Sequence, residues 1–313
     1  MWHKKLFAPL ALPIHLFAGA ILCGAFLLCQ PVSCQGRPIS FLDALFTATS
    51  AACVTGLAVV DTGTAFTRFG QTVILALIQL GGLGIMTFST LIFYLWRRRV
   101  SLTDHIAVGQ SLLHDAAFHL GRFLVRMAAA TAFIEAVGAV ALHMLDPQGF
   151  APYSAVFHSI SAFCNAGFGL FPDNLMGYAA SPGVNLVFMW LIVSGGLGFG
   201  VLIEGYRAAR SRLRRLASPE TQRFRLSWHA RTVVRVSIFL VLAGAAMIFL
   251  GEFLGSRYPG FSATDKVVAV LFQSVSCRTA GFNTVDIGRM ADASLVIMIL
   301  LMFIGGSPGS CAG

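Results

Sequence analysis

FTATSAACVTG (46–56), FHSISAFCNAG (157–167) and FQSVSCRTAG (272–281) are three copies of one short segment. Each opens on Phe, runs through small and hydroxylated residues, and closes on Gly; the third copy is one residue shorter. At about 10 to 12 residues, each has half the roughly 20 that a helix needs to cross a bilayer. Each is also too apolar for an ordinary loop. A re-entrant half-helix, dipping into a membrane and stopping there, fits both facts.

Longer apolar stretches surround these segments. Five run near 6–29, 70–96, 123–145, 184–206 and 232–254, and a sixth begins near Asp292 and is cut short at the end of the chain. The 313 residues are 57% hydrophobic and 11% charged, with a mean hydropathy of +0.78. Soluble domains carry about 25% charged residues, so most of this surface faces something other than water. Length alone would suggest two soluble domains, and the apolar runs overrule it. Lys4 and Lys5 also resemble the start of a signal peptide. The run behind them is about twice the usual signal core and no clean small-x-small site follows, which favours a retained helix. The expected fold class is an all-α polytopic membrane protein of repeated helix–re-entrant segment–helix hairpins.

Of the 22 Lys and Arg, 16 fall in three places: Lys4 and Lys5; Arg97, Arg98, Arg99, Arg122 and Arg126; and nine between Arg207 and Arg235. The alternate connections hold six, namely Arg37, Arg68, Arg257, Lys266, Arg278 and Arg289. This is the positive-inside pattern, which sets the N-terminus and the segments 97–122 and 207–231 in the cytoplasm. The net charge of +9 therefore reports topology and contact with anionic lipid or an acidic partner, with no nucleic acid. Seven cysteines show no CxxC or zinc-like spacing. Cys23 and Cys29 read as small hydrophobes, and a Cys29–Cys34 pair is disfavoured.

Downstream of each short segment comes a glycine pair: QLGGLGIMTF (79–88), SGGLGFGVL (194–202) and FIGGSPGSCAG (303–313), at spacings of 25, 28 and 24 residues from the segment's last Gly. The repeat divides the chain into 1–100, 101–218 and 219–313. A half-helix that stops at membrane depth aims the negative end of its dipole into a cavity, which favours a cation. The residues after it can turn their carbonyls inward in place of an ion's hydration shell, and Gly permits the backbone angles this needs. Gly56, Gly167 and Gly281 are the candidates, with Val54 and Thr55, Asn165 and Ala166, and Thr279 and Ala280 as carbonyl donors. Gly81–Gly82 and Gly195–Gly196 read equally as kinks or as packing surfaces.

TATSAACVTGLAVVDTG, FHSISAFCNAGF, CRTAGFNTVDIG and GGSPGSCAG resemble the pore segments and gating loop of the Trk/Ktr/HKT potassium transporter superfamily. The resemblance covers essentially the whole chain. One spanning helix precedes the first pore segment, as in KtrB-type members; TrkH-type members carry an additional N-terminal helix pair. The resemblance implies four hairpins around one pore, with filter positions Val54, Thr55, Gly56, Asn165, Ala166, Gly167, Thr279, Ala280 and Gly281. It implies a gating loop at Gly305, Gly306, Ser307, Pro308, Gly309, Ser310 and Gly313, which occludes the pore below the filter. Potassium is the implied cargo, with sodium as a coupling or activating ion and no cofactor in this chain. A cytoplasmic RCK-type nucleotide-binding ring, a homodimer of pore subunits and a place in the inner membrane are implied as well. Cys164, Cys277 and Cys311 replace commoner polar or small residues beside the motifs, and function is expected to survive because carbonyls make the filter. The chain stops at Gly313 inside the loop, so it reads as C-terminally truncated, with the fourth repeat absent.

Charged groups within spans are functional by default. Glu135 reads as an ion ligand or as an interhelical hydrogen-bond partner. Glu204 and Glu252 lie nearer span ends, Glu204 as an interfacial group near Arg207. Arg278 beside a cation filter calls for a nearby carboxylate. Asp61, Asp173 and Asp286 follow the filter glycines and form either an acidic vestibule or ordinary caps. Ser101 and Asp104 stand at capping-box spacing, ahead of Ile106, Leu112, Leu113 and Phe118, which suggests a helix at the membrane surface or docked on a partner. An intramembrane enzyme is the rival class, on Ser307, Ser310, His143 and His158. No GxSxG frame, metal-ligand spacing or Walker A supports it.

Overall fold

The structure is a computed structural model and describes residues 12–97, 120–217, 224–252, 261–307 and 309–312. Ten helices organise it: α1 (Leu12–Leu28), α2 (Phe41–Ala52), α3 (Arg68–Arg97), α4 (Leu120–Leu145), α5 (Pro152–Phe163), α6 (Pro182–Gly196), α7 (Phe199–Ala217), α8 (Trp228–Glu252), α9 (Ala263–Ser276) and α10 (Asp292–Ile304). Short turns of helix link them.

Helices α2, α5 and α9 carry the three repeated segments and have 12, 12 and 14 residues. At about 1.5 Å per residue they are roughly 18–21 Å long, short of a hydrocarbon core of about 30 Å. They start earlier than the repeated motif because their caps lie upstream. Ser40 accepts from Asp43 N, Pro152 opens α5, and Ser262 and Asp265 form a reciprocal capping box. Each half-helix packs along the long helix before it: α2 on α1, α5 on α4, α9 on α8. In turn α3 packs on α5 and α6 on α9, so each hairpin leans on the next.

The interior is built from small residues and phenylalanines. Helix α2 buries Ala44, Thr47, Ala48, Ser50, Ala51 and Ala52, which lets neighbouring backbones approach closely. Phe157, Phe163, Phe188, Phe272 and Phe282 are fully buried around the half-helices. Large apolar side chains on the outer helices, such as Phe26, Phe133, Phe239 and Leu300, are exposed, as suits a lipid-facing surface. Among the described residues, Val125–Leu145 and Trp228–Glu252 are each long and apolar enough to cross a membrane alone.

One expected span is broken within 194–202, beside its glycine pair. The stretch 184–206 is two helices, α6 and α7, meeting at 110°. The bend falls at Leu197–Gly198, where Gly198 takes φ +85°. Gly195 and Gly196 are the last residues of α6. Helix α3, by contrast, runs straight through Gly81–Gly82, and the third pair ends its helix, with Gly305 as the cap of α10 at φ +66°.

Candidate functional site

The three half-helices stop in the same way. Val54, Asn165 and Thr279 are left-handed at φ 57°, 57° and 71°. In the first two repeats Thr55 N bonds Ser50 O and Ala166 N bonds Ser161 O, both at 2.8 Å. Val54 N bonds Ala51 O and Asn165 N bonds Ala162 O, both at 3.2 Å. These are Schellman closures, which turn the chain sharply off the helix axis. In the third repeat, one residue shorter, Ala280 N bonds Ser276 O at 2.8 Å. A left-handed non-Gly residue costs about 1–2 kcal/mol, and Val and Thr are poor candidates for it. Strain of this kind is held only where the surroundings over-determine it.

Two residues later Gly56, Gly167 and Gly281 are again left-handed, at φ 78°, 71° and 78°. They meet. A Cβ placed on Gly56 would lie 2.7 Å from Ala166 O and 3.3 Å from Gly167 Cα. One on Gly167 would lie 3.0 Å from Ala280 O, 3.2 Å from Gly281 Cα and 3.3 Å from Gly56 Cα. The segment 165–167 is thus enclosed between the other two and is buried, while Thr55 and Gly281 are exposed. All nine candidate carbonyl donors lie in these three converging turns, at the negative ends of three half-helix dipoles.

Serines inside the half-helices brace the turns, a role the sequence reading did not assign. Ser161 Oγ donates to Phe168 O at 2.6 Å, and Ser276 Oγ donates to Phe282 O. Both acceptors are the residue after the left-handed Gly of the repeat. The aligned Ser50 Oγ has no hydrogen-bond partner among the described residues. Ser159 and Ser274, also aligned, donate to Glu135 O at 2.7 Å and Val241 O at 2.8 Å, tying each half-helix to its long helix. Their recurrence in the repeat was the available signal. Ser161→Ala and Ser276→Ala are each expected to lose about 1 kcal/mol of stability, the worth of a buried hydrogen bond. Ser50→Ala is expected to leave stability unchanged, and thermal unfolding of the three solubilised variants checks this.

The glycine pairs of the first two repeats are packing surfaces. A Cβ on Gly81 would run into Ala52 O, and one on Gly195 into Phe163 O, in each case the last residue of the half-helix. A Cβ on Gly82 would lie 2.7 Å from Cys164 Sγ.

The loop after α10 docks into the break between α6 and α7. Ser307 N donates to Gly196 O at 3.0 Å and Cys311 N to Gly195 O at 3.1 Å, which satisfies carbonyls that the end of α6 leaves open. Phe199 N donates back to Gly309 O at 3.3 Å. Thr279 Oγ1 donates to Ala312 O at 3.0 Å, so the loop also touches the third glycine turn. Gly305, Gly306, Ser307, Gly309 and Ser310 lie in this loop; Pro308 and Gly313 lie outside the described residues.

Arg278 differs from expectation. Its Nε donates to Gly305 O at 3.2 Å, so among the described residues it braces the loop through a carbonyl and not through a carboxylate. Glu135 has a structural partner, Gln79, whose Nε2 donates to Oε2 at 3.3 Å. Glu204 accepts from Ser227 N at 2.7 Å, and Glu252 accepts from Ala291 N at 2.7 Å at the start of α10. Asp61 caps a turn through Thr64 N at 2.7 Å. Asp286 caps Gly288 N at 3.0 Å and pairs with Arg289 at 3.1 Å. For these two the capping reading holds. Asn174 was missed: its Nδ2 donates to Gly281 O at 3.4 Å, linking the loop after α5 to the third glycine turn. His158 is buried, with Nε2 accepting from Leu170 N at 3.1 Å and Nδ1 facing Ser154 O at 2.8 Å, a structural use of both nitrogens. The expected surface helix at Ser101, Asp104, Ile106, Leu112, Leu113 and Phe118 lies outside the described residues.

Three re-entrant half-helices aimed at one glycine junction, among long apolar helices, define a polytopic helical membrane protein with a cation-suited centre. The profile of the TrkH family, described as cation transport protein, matches residues 25–313, and the chain belongs to that family. It is 40% identical to Ktr system potassium uptake protein B of Bacillus subtilis (strain 168), over 97% of this chain and 66% of that protein. To the protein of the same name from Vibrio alginolyticus it is 37% identical, over 95% of this chain and 64% of that one. The potassium/sodium uptake protein NtpJ of Enterococcus hirae is 32% identical, over 99% of this chain and 67% of that protein. The chain therefore spans about two thirds of the length of these relatives. The crystal structure of the potassium transporter TrkH from Vibrio parahaemolyticus superposes with a TM-score of 0.67 at 21% identity, over 95% of this chain and 56% of that one, a likeness of fold.

Proposed function

We propose that the chain is the greater part of a subunit for potassium uptake across the cytoplasmic membrane, with the ion held by backbone carbonyls of the re-entrant turns. The observation that carries this reading is the meeting of Gly56, Gly167 and Gly281, each left-handed, at the C-termini of three half-helices. Val54, Thr55 and Gly56, Asn165, Ala166 and Gly167, and Thr279, Ala280 and Gly281 supply three of four filter strands. The repeats run 1–100, 101–218 and 219–313. The loop from Gly305 to Ser310, pinned by Arg278, is the gate. Relatives named for potassium uptake at 40% and 37% identity support potassium as cargo, and one named for potassium and sodium uptake supports sodium as a coupling or activating ion. An RCK-type ring on the cytoplasmic face and a second copy of the subunit are the proposed partners.

The test is uptake. The protein that carries this sequence, expressed in cells lacking their own potassium uptake, is expected to restore growth at low potassium and to take up rubidium. Growth rescue without cation flux would overturn the reading. Orientation is tested by reporter fusions at Arg99 and Arg215, both expected inside; reporters found outside would contradict the pore arrangement.

A further inference from the structure

We infer that α7 is an interfacial helix that binds anionic phospholipid through an apolar stripe bordered by arginines, a role separate from the pore. Two observations carry it. First, α7 follows α6 after a two-residue break but turns by 110°, so it does not continue the direction of α6 and is free to lie along the membrane surface. Second, its three faces have different fates. At about 100° per residue, Glu204, Ala208 and Ser211 share one face. This face is docked: Ser227 N donates to Glu204 at 2.7 Å and Phe224 N to Ser211 Oγ at 3.2 Å.

Tyr206, Ala209 and Leu213 fall in a second sector about 60° wide. Tyr206 is 65% exposed and Leu213 67% exposed. Arg210 borders this sector on one side and Arg212 on the other, with Arg207 and Arg214 beside Arg210, all exposed. An exposed apolar stripe flanked by guanidinium groups suits a helix whose stripe sinks below the headgroups while its arginines reach the phosphates. Four arginines oppose a second copy of the same face, and the apolar stripe has no use for a free anion. An anionic membrane surface satisfies both the charge and the stripe, and it continues directly from α6. An acidic cytoplasmic protein is the alternative occupant.

The experiment places the photoreactive residue p-benzoylphenylalanine at Tyr206 and, in a separate variant, at Leu213 of the protein that carries this sequence, irradiates intact membranes, and reads adduct masses. Phospholipid adducts at both positions are expected. A crosslink to another protein, or no adduct at either position, would overturn the inference. Charge is read in vesicles of phosphatidylglycerol with phosphatidylcholine against phosphatidylcholine alone. Adduct yield is expected to rise several-fold with phosphatidylglycerol, and the rise is expected to vanish when Arg207→Gln, Arg210→Gln and Arg214→Gln are combined. Equal yields in both vesicles would remove the anionic preference and overturn the proposal.

Discussion

Gly167→Ser, in the protein that carries this sequence, is expected to cut the preference for rubidium over sodium at least about tenfold, equivalent to about 1.4 kcal/mol, with near-normal expression. The residue sits between the other two filter turns. A Cβ there would press on Ala280 O at 3.0 Å, Gly281 Cα at 3.2 Å and Gly56 Cα at 3.3 Å, at a φ of +71°. Backbone strain alone costs about 1–2 kcal/mol. The steric contact then moves the atoms that would coordinate an ion, while the helices that insert the protein are untouched. Gly56→Ser and Gly281→Ser are expected to act in the same direction. Gly19→Ser is the control, because nothing lies within 4 Å of a Cβ there. A Ser at a mere packing surface would act on assembly and leave selectivity alone, so unchanged selectivity at all three pore glycines would contradict the filter assignment. Sodium competition against rubidium uptake measures it.

Gly195→Ala is expected to be more damaging to assembly than any filter substitution, and its neighbour Gly196→Ala to be mild. A Cβ at Gly195 meets the Phe163 carbonyl, a backbone atom at the end of α5 that has no rotamer to change. At Gly196 the nearest atom is Asn165 Nδ2 at 3.4 Å, an ordinary contact. Overpacking of this kind costs about 1–3 kcal/mol and more where backbone must shift. Since Gly195 O also accepts from the loop at Cys311 N, the substitution disturbs half-helix and loop together. The thermal midpoint of the solubilised protein is expected to fall by several degrees for Gly195→Ala and hardly to move for Gly196→Ala. Equal behaviour of the two would show that the close approach at Gly195 carries no weight.

The half-helices were legible in the sequence because their signals are local. A Phe, a run of small residues and a closing Gly recur three times, and the length of each excludes a full span. What could not be read lies between segments. The left-handed turns at Val54 and Thr279 carry no local mark, since β-branched residues disfavour that region; the helix-closing bonds and neighbouring turns impose it. The bend between α6 and α7 was expected within 194–202, and a glycine pair cannot say whether it kinks or packs. Gly81–Gly82 lies in unbroken helix and Gly195–Gly196 ends one, because only the second meets a loop that takes up its freed carbonyls from more than 100 residues away. Arg278 shows the same limit. Its charge suggested a carboxylate, whereas the structure uses the Gly305 carbonyl, which becomes available only where α10 ends.

The most direct test of the central claim is anomalous scattering from crystals of the protein that carries this sequence, grown with rubidium or thallium in place of potassium. The account predicts a peak on the line where Gly56, Gly167 and Gly281 meet, within coordination distance of carbonyls from 54–56, 165–167 and 279–281. A peak held instead by side chains elsewhere, such as Glu135, with none at the glycine junction, would contradict it.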